Sequence, residues 1–344
     1  MKKIIYVFLI SCFSLTIISC GVNWVSNKDD STSGLFVSVG NSGTIIISSD
    51  GITWTFSTSG TTSILWGINY GNSTFVTVGD SGTILTSSDG TSWDNRTSDV
   101  SSTLYGVTYG NSTFVTIGDN GTILTSSDGT SWDNRTSDVS STLYGVTYGN
   151  STFVTVGDNG TILTSSDGTT WTSRTSNTSK DLYGVTYGNN TFVTVGDSGT
   201  ILTSSSGTRW TSRSGTSTLL NEVIYENSTF VTVGDSGTIL TSSDGTSWDN
   251  RTSSTKNSLA GLTFGNSTFV TVGGSGTILT SSDGTSWTSR TSGASDTLWG
   301  VIYGKSAFVV VGPLGTVLTS SDLTTWTSRT SNTSNNLLEV TYKE

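Results

Sequence analysis

The 344-residue chain contains no histidine, one proline and two cysteines, and charged residues make up only 12% of it. Without histidine it lacks the most common metal ligand and the side chain that most often moves protons near neutral pH. Both cysteines, Cys12 and Cys20, lie in an apolar segment near the N-terminus, so neither an internal disulfide nor a cysteine–histidine metal site is expected. We therefore expect no metal and no cofactor.

Positive charge is also scarce, because 15 Lys and Arg residues stand against 25 Asp and Glu, for a net charge of -10. Nucleic-acid binding and attachment to anionic lipid through a basic patch both need a positive surface, so neither is expected. Aromatic residues make up 10% of the chain, and β-branched residues recur in short alternating runs. Apolar surface is thus available to offset chain entropy, which favours a folded β protein over disorder.

The N-terminus has the layout of an export signal. Lys2 and Lys3 precede a short apolar run that is too brief for a spanning helix and ends in Ile17-Ile18-Ser19-Cys20-Gly21. This ending resembles the lipobox of bacterial lipoproteins, in which the cysteine becomes the first mature residue and carries lipid chains. An ordinary secretory signal or an uncleaved anchor is the alternative.

The resemblance divides the chain into three parts. Residues 1–19 are expected to be the signal peptide, and residues 20–33 the lipidated Cys20 with a polar, flexible tether. The protein is then expected to be exported and anchored to a bacterial membrane by lipid alone, on the periplasmic side or at the cell surface.

One repeat organises the rest of the chain. A signature of the form FVTVG-x-x-GTILTSSDG-x-x-W recurs eight times with a period of 39 residues, and one unit has 38. Its last residue is Trp54, Trp93, Trp132, Trp171, Trp210, Trp248, Trp287 or Trp326. A phenylalanine also occupies one second-strand position in all eight units, and we expect the two aromatic sets to fill the space between repeats.

Each unit reads as four short strands. In the third unit they are Leu104–Tyr109, Thr113–Ile117, Thr122–Ser126 and Trp132–Thr136, separated by Gly, Asn and Asp turns. Four antiparallel strands in this length match one blade of a β-propeller.

The two ends of the chain complement each other. The first unit begins at Leu35 without its opening strand, and the C-terminal Leu337–Tyr342 aligns with the opening strand Leu104–Tyr109. We therefore predict an all-β fold, an eight-bladed propeller over residues 34–344, in which the C-terminal strand completes the first blade and closes the ring. An open array would leave exposed edges.

The Ser-Ser-Asp-Gly-x-x-Trp run resembles the Asp-box of BNR-type repeats, found in sialidases, sortilin-like receptors and photosystem II assembly factors. The whole unit is most similar to the assembly-factor branch, although its Asp-to-Trp spacing is one residue shorter than usual. The resemblance implies turns with a structural role at Asp50, Asp89, Asp128, Asp167, Asp244, Asp283 and Asp322. Ser206 replaces this aspartate in the fifth unit, and Leu323 replaces the turn glycine in the eighth, so that turn is expected to differ in shape.

No arrangement of residues predicts an enzyme. Arginine recurs three residues after the tryptophan in seven units, which spreads it around the rim and prevents the convergence that a sialidase needs. Glu222 and Glu339 replace a glycine of the first strand that we expect close to the axis, but their blades lie three steps apart. A catalytic carboxylate pair needs a separation of roughly 5–10 Å.

One surface varies from unit to unit. The turns between second and third strands carry Asp in five successive blades, and then Gly274, Pro313-Leu314 and Asn41. First-strand residues beside them change as well, from aromatic to Asn221, Ala260 and Leu338. We predict that this face docks a partner through Asp80, Asp119, Asp158, Asp197, Asp235, Pro313 and Leu314. The alternative is that these residues are solvated hairpin tips.

The sequence therefore favours a non-catalytic binding or assembly scaffold at the cell envelope, monomeric, with an envelope protein or a glycan as partner. Two alternatives stay open. One is a carbohydrate-active or glycan-binding propeller, and the other is a surface adhesin with a variable number of repeats.

Overall fold

The computed structural model describes residues 34–344, so the expected signal peptide, Cys20 and the tether lie outside the described residues. Residues 34–344 form eight four-stranded antiparallel sheets arranged as a β-propeller. Each sheet is one blade, and we number the blades 1 to 8 along the chain. In every blade the first strand lies beside the first strands of its neighbours, and the fourth strand forms the outer edge.

Strand bounds repeat closely from blade to blade. The first strands, from blade 1 to blade 8, are Leu337–Lys343, Leu65–Gly71, Leu104–Gly110, Leu143–Gly149, Leu182–Gly188, Leu220–Glu226, Leu259–Gly265 and Gly300–Gly304. The second strands are Leu35–Gly40, Thr74–Gly79, Thr113–Gly118, Thr152–Gly157, Thr191–Gly196, Thr229–Gly234, Thr268–Gly273 and Ala307–Val311. The third strands are Ile45–Ser48, Ile84–Ser87, Ile123–Ser126, Ile162–Ser165, Ile201–Ser204, Ile239–Ser242, Thr277–Ser281 and Val317–Ser320.

The fourth strands are the shortest elements. They are Thr55–Ser57, Asp94–Arg96, Asp133–Arg135, Thr172–Arg174, Thr211–Arg213, Asp249–Arg251, Thr288–Arg290 and Thr327–Ser328. The second and third strands of each blade are joined by a 3₁₀ turn. These turns are Asn41–Gly43, Asp80–Gly82, Asp119–Gly121, Asp158–Gly160, Asp197–Gly199, Asp235–Gly237, Gly274–Gly276 and Pro313–Gly315.

The ring closes as predicted. The C-terminal strand pairs antiparallel with Leu35–Gly40, with Val37 opposite Thr341, and supplies the innermost strand of blade 1. The Ser38 hydroxyl adds a 2.9 Å hydrogen bond to the Glu339 carbonyl. Blade 1 therefore joins the two ends of the described chain, and no blade is left incomplete.

The apolar core lies between blades. Val76 and Val78 of blade 2 pack with Phe114, Leu124 and Trp132 of blade 3, and all five are buried. The Phe114 and Trp132 rings lie 6.3 Å apart between centroids. Equivalent clusters recur around the ring, which confirms the predicted role of the repeated phenylalanines and tryptophans.

The strand directions divide the propeller into two faces. We call upper the face that carries the 3₁₀ turns and the connections between blades. The lower face carries the hairpins between first and second strands and the turns between third and fourth strands. We call these last turns the aspartate turns.

First strands end close to the next blade, which explains one repeated glycine. A Cβ atom on Gly110 would lie 2.3 Å from Cγ of Tyr148 in the adjoining blade. Glu226 and Lys343 stand at this position in blades 6 and 1, so only there does a side chain emerge from this point on the lower face.

The expectation that the Leu323 turn has a different shape is wrong. Leu323 adopts φ of 63°, and its N–H donates to Ser320 Oγ at 2.9 Å, as the Gly129 N–H does to Ser126 Oγ at 2.8 Å. A leucine can occupy the left-handed region at some cost in strain, so the turn is kept. The change is confined to Trp326, whose Nε1 has no hydrogen-bond partner.

Over residues 34–344 we find no helix with the length and apolar character needed to cross a membrane.

Candidate binding face

The upper face holds all seven residues that the sequence predicted for partner binding. Asp80, Asp119, Asp158, Asp197 and Asp235 each begin the 3₁₀ turn of their blade, from blade 2 to blade 6. Pro313 and Leu314 occupy the first two positions of the same turn in blade 8. The two groups share a face but not a pocket, because blade 8 stands two steps from blade 2 and two steps from blade 6.

A row of aromatic rings runs along four of these blades. Trp66, Tyr105, Tyr144 and Tyr183 sit near the upper ends of the first strands of blades 2 to 5. Successive ring centroids are 5.9, 6.0 and 5.4 Å apart, so each ring contacts the next. Because first strands lie closest to the axis, the row curves around half of the upper mouth of the propeller.

The aromatic row is hydrogen-bonded to the acidic turns. Trp66 Nε1 donates to Asp80 Oδ1 at 2.7 Å, which ties the indole to the turn of its own blade. The Tyr105 hydroxyl donates to Asp119 at 3.1 Å, and the Tyr183 hydroxyl donates to Asp197 at the same distance.

We call these eight residues the crescent: Trp66, Tyr105, Tyr144, Tyr183, Asp80, Asp119, Asp158 and Asp197.

Burial and charge set the protonation of the crescent. Burial raises the pKa of Tyr105, and the carboxylate of Asp119 raises it further, since both oppose formation of a phenolate. The pKa values of Tyr144 and Tyr183 are raised by burial first and then by nearby aspartates. Burial also raises the pKa of Asp197. The phenols therefore stay neutral at ordinary pH and donate to their acceptors.

Cross-blade bonds make the crescent rigid. Thr142 of blade 4 donates through Oγ1 to Asp119 of blade 3 at 3.1 Å. Asp181, which the sequence analysis missed, accepts the Asn159 N–H at 2.7 Å and adds a carboxylate beside the row. The sequence did mark Asp181 as unusual, because the residues at the matching position of the other seven blades are uncharged.

The rest of the upper face has a different character. The matching residues of blades 6, 7 and 1 are Asn221, Ala260 and Leu338, so Trp299 of blade 8 has no aromatic residue at the matching position of either neighbouring blade. Asn221 instead donates to the Leu259 carbonyl at 2.7 Å. Leu314 is the most exposed large apolar side chain among the described residues, at 68%. The predicted apolar contact at Pro313 and Leu314 therefore consists mainly of the exposed Leu314 side chain.

The aspartate turns of the lower face hold their carboxylates in one repeated pattern. Asp128 Oδ1 accepts the Thr130 N–H at 2.7 Å, the Ser131 N–H at 3.0 Å and the Ser126 hydroxyl at 3.0 Å. These bonds stabilise the charged form and lower the pKa of the carboxyl groups, to about 2 for Asp89. Ser206 Oγ accepts a single backbone N–H, that of Thr208 at 3.3 Å, and shares a 2.6 Å hydrogen bond with the Thr208 hydroxyl in which either oxygen can donate.

The arginines and the axial glutamates form no common site. The repeated Arg of each blade from 2 to 8, three residues after the tryptophan, donates through Nε to a threonine of its own blade, at 2.7 to 2.9 Å. Glu222 and Glu339 are 2% and 7% exposed and belong to blades 6 and 1. Within residues 34–344, no group of three or more acidic side chains is placed to hold a metal ion.

Comparison with known proteins shows similarity of fold. No protein-family model matches the sequence, and no curated protein matches it either. Among solved structures, the computationally designed Ika8 protein superposes with a TM-score of 0.71 at 14% identity, over 82% of this chain and 91% of that one. YCF48 from Cyanidioschyzon merolae gives 0.57 at 16% identity, over 72% and 92%.

A third structure, described as YCF48 bound to D1 peptide, gives a TM-score of 0.53 at 18% identity, over 66% of this chain and 81% of that one. These identities establish the propeller fold and nothing finer. The comparison agrees with the predicted propeller architecture.

Proposed function

We propose that this chain is a non-catalytic binding propeller, exported and held at a bacterial membrane by lipid on Cys20, whose upper face docks a protein partner. The observation that carries the proposal is the crescent. It joins four contacting aromatic rings to four carboxylates on a face whose residues change from blade to blade.

The chemistry of the crescent favours an extended segment that carries Lys or Arg. Aromatic faces attract cations, and the neighbouring carboxylates pair with them. The rings are already positioned by hydrogen bonds to Asp80, Asp119 and Asp197, so little side-chain freedom is lost on binding. Pro313 and Leu314 supply an apolar contact further around the same face.

A similar propeller described as YCF48 bound to D1 peptide supports a polypeptide partner over a small molecule. The sameness of the blades supports a non-catalytic role. Repeated units supply rings of equivalent groups, whereas catalysis needs different groups converging on one point.

Crosslinking in intact cells tests the docking face. A photoreactive residue in place of the partly exposed Tyr183 should capture an envelope protein, and the same substitution at Thr208 on the lower face of that blade serves as the control. The double variant Tyr105→Ala, Asp158→Asn should lose most of the captured partner, and Pro313→Ser with Leu314→Ser should lose part of it. Equal capture from both faces, or an unchanged partner in both variants, contradicts the proposal.

The anchor is tested separately by metabolic labelling with a palmitate analogue. The label should enter the parent chain and should be absent from Cys20→Ser, which should also leave the membrane fraction. Labelling that survives this substitution would contradict lipidation at Cys20.

Glycan binding is the second candidate, because a row of aromatic rings beside carboxylates also suits stacking on sugar rings. A glycan array separates the two candidates. Saturable binding of one glycan that is lost in Tyr144→Ala, without capture of any protein, would favour the glycan.

A further inference from the structure

A small cleft opens where the fourth strand of blade 4 meets the aspartate turn of blade 5. We call such a place a junction, and each blade forms one with the next. The cleft has a volume of about 330 Å³ and is lined mainly by Arg174, Thr175, Asn177, Thr208, Arg209 and Trp210. Ligand cavities usually measure about 300–1,000 Å³, so this one suits a small group. Thr208 and Arg209 are exposed and Arg174 is half-buried, which leaves the cleft open to solvent.

Among the described residues, two arginines and no carboxylate line this cleft, which distinguishes its junction from the other seven. Arg209 stands where the other blades have Ser or Thr, and Ser206 replaces the turn aspartate that those blades keep. Thr172 and Asn177, on either side of Arg174, match positions that are both aspartate in blades 2 and 3. At every other junction the matching positions hold at least one carboxylate and at most one arginine. The cleft is therefore locally positive in a chain whose net charge is -10.

Both guanidinium groups have donors that the fold does not use. Arg174 Nε donates to Thr164 Oγ1 at 2.7 Å, which holds the side chain against its own blade. In blades 2, 3 and 6 the matching arginine also pairs through Nη2 with an aspartate at 2.8 or 2.9 Å, but Thr172 replaces that aspartate beside Arg174. Over residues 34–344, the Nη atoms of Arg174 and the guanidinium of Arg209 have no hydrogen-bond or ion-pair partner. These donors are therefore available to an anion.

The turn of blade 5 also lacks an acceptor that the other aspartate turns have. Asp128 Oδ1 accepts the Ser131 N–H at 3.0 Å, and the matching N–H in blade 5 belongs to Arg209. Ser206 Oγ accepts the Thr208 N–H instead, and within the described chain the Arg209 N–H has no acceptor. A bound anion would supply an acceptor of the kind that this turn has lost.

We propose that the cleft between blades 4 and 5 binds a doubly charged phosphate group, held by Arg174 and Arg209. Arginine binds phosphate oxygens through paired N–H groups, and two guanidinium groups match the charge of about −2 on a phosphate ester near neutral pH. A carboxylate carries a single charge and would leave one arginine without a partner. The hydroxyls of Thr175 and Thr208 border the same space. The site goes beyond the docking face, because it shares no residue with the crescent.

The tryptophan after each aspartate turn can report on its own junction. The full chain is labelled with ¹⁵N at tryptophan, and the indole N–H signals are recorded by NMR during titration with glycerol phosphate, inorganic phosphate or acetate at constant ionic strength. The Trp210 signal, identified by its loss in Trp210→Phe, should shift and saturate with both phosphate compounds, because Trp210 lines the cleft. The Trp132 signal, from a junction that keeps its carboxylates, should not shift, and acetate should bind much more weakly.

Three variants remove the positive character of the cleft. Arg174→Ala and Arg209→Ser should each weaken phosphate binding by about tenfold or more, since each removes a charged hydrogen-bond donor. Ser206→Asp should weaken it as well, because it restores the turn carboxylate. Arg290→Ala is the matched control: Arg290 donates through Nε to Thr280 at 2.8 Å in blade 7, as Arg174 does in blade 4, but lies outside the cleft. Its removal should leave the affinity unchanged.

Tighter binding of glycerol phosphate than of inorganic phosphate would assign the cleft to phosphate esters, and the reverse order would assign it to the free ion; both orders support the proposal. No saturable shift at Trp210, equal affinity for acetate, equal shifts at all the tryptophans or an equal loss in Arg290→Ala overturns it. Unchanged signals of the other tryptophans show that a variant is folded. If Arg174→Ala does not fold, Arg209→Ser and Ser206→Asp still decide, because both restore residues that other blades carry at these positions.

Discussion

The two faces of the propeller use aspartate in different ways. On the lower face every aspartate of the turns accepts two backbone N–H groups of its own turn, as Asp128 and Asp167 do, and the partners repeat from blade to blade. On the upper face the matching aspartates accept from side chains that change, an indole at Asp80 and a serine at Asp235. Hydrogen-bond donors that are the same in every blade indicate that the lower-face aspartates serve the fold. Donors that change from blade to blade indicate that the upper-face aspartates can be selected for binding a ligand.

Removal of the closing strand should have the largest effect, because both faces depend on a closed ring. Deletion of residues 337–344 leaves blade 1 with three strands and removes the buried Leu337 and Val340 from its core. We expect a loss of about 5 kcal/mol or more in unfolding free energy, from lost apolar burial and lost strand pairing. Urea denaturation measures it, with deletion of Glu344 alone as the control. An unchanged midpoint would show that the ring does not need its closing strand.

Acid should weaken the aspartate turns of the lower face. Backbone hydrogen bonds hold the pKa of the turn aspartates below the ordinary value, so their carboxylates stabilise the folded state above about pH 4. This stabilisation is lost as the pH falls through the folded pKa, which is about 2 for Asp89. Thermal melting between these limits should show the decline. A variant with Asp89, Asp128 and Asp167 replaced by Asn should lose less on acidification than the parent, and parallel curves would contradict this role.

A single pair of substitutions within blade 3 compares the faces directly. Asp128→Ala removes an acceptor of two backbone N–H groups and should cost about 1 kcal/mol of stability, a modest value because the turn is exposed. Asp119→Ala removes an acceptor of side-chain donors, and we expect a smaller loss of stability together with weaker partner capture. The reverse pattern in melting and crosslinking would remove the distinction between the faces.

The fold was predictable from the sequence because its signals are local and repeated. Eight in-phase units and the match between Leu337–Tyr342 and Leu104–Tyr109 were enough for blade number and closure. The crescent could be predicted from the sequence only in part. Sequence places Tyr105 and Asp119 on one face, but their hydrogen bond depends on the fold of blade 3, and the contact of Tyr105 with Tyr144 depends on the spacing of neighbouring blades. The Leu323 turn was predicted wrongly because surrounding bonds imposed a left-handed backbone that leucine alone disfavours.

The smallest expected effect concerns an acid of the lower face that lies outside the aspartate turns. Glu226 replaces the glycine that ends the other first strands, and burial raises its pKa to about 7. The folded state therefore holds a proton that the unfolded chain releases near pH 4, and stability should fall as the pH rises from about 4 to about 7. Glu226→Gln should remove this dependence and stabilise the protein at pH 8 by less than about 1 kcal/mol, once solvent screening is allowed for. Asp99→Asn, at an exposed position, is the control for loss of one charge. If both variants gain equally at pH 8, the gain reflects the net charge of the chain and not the burial of Glu226.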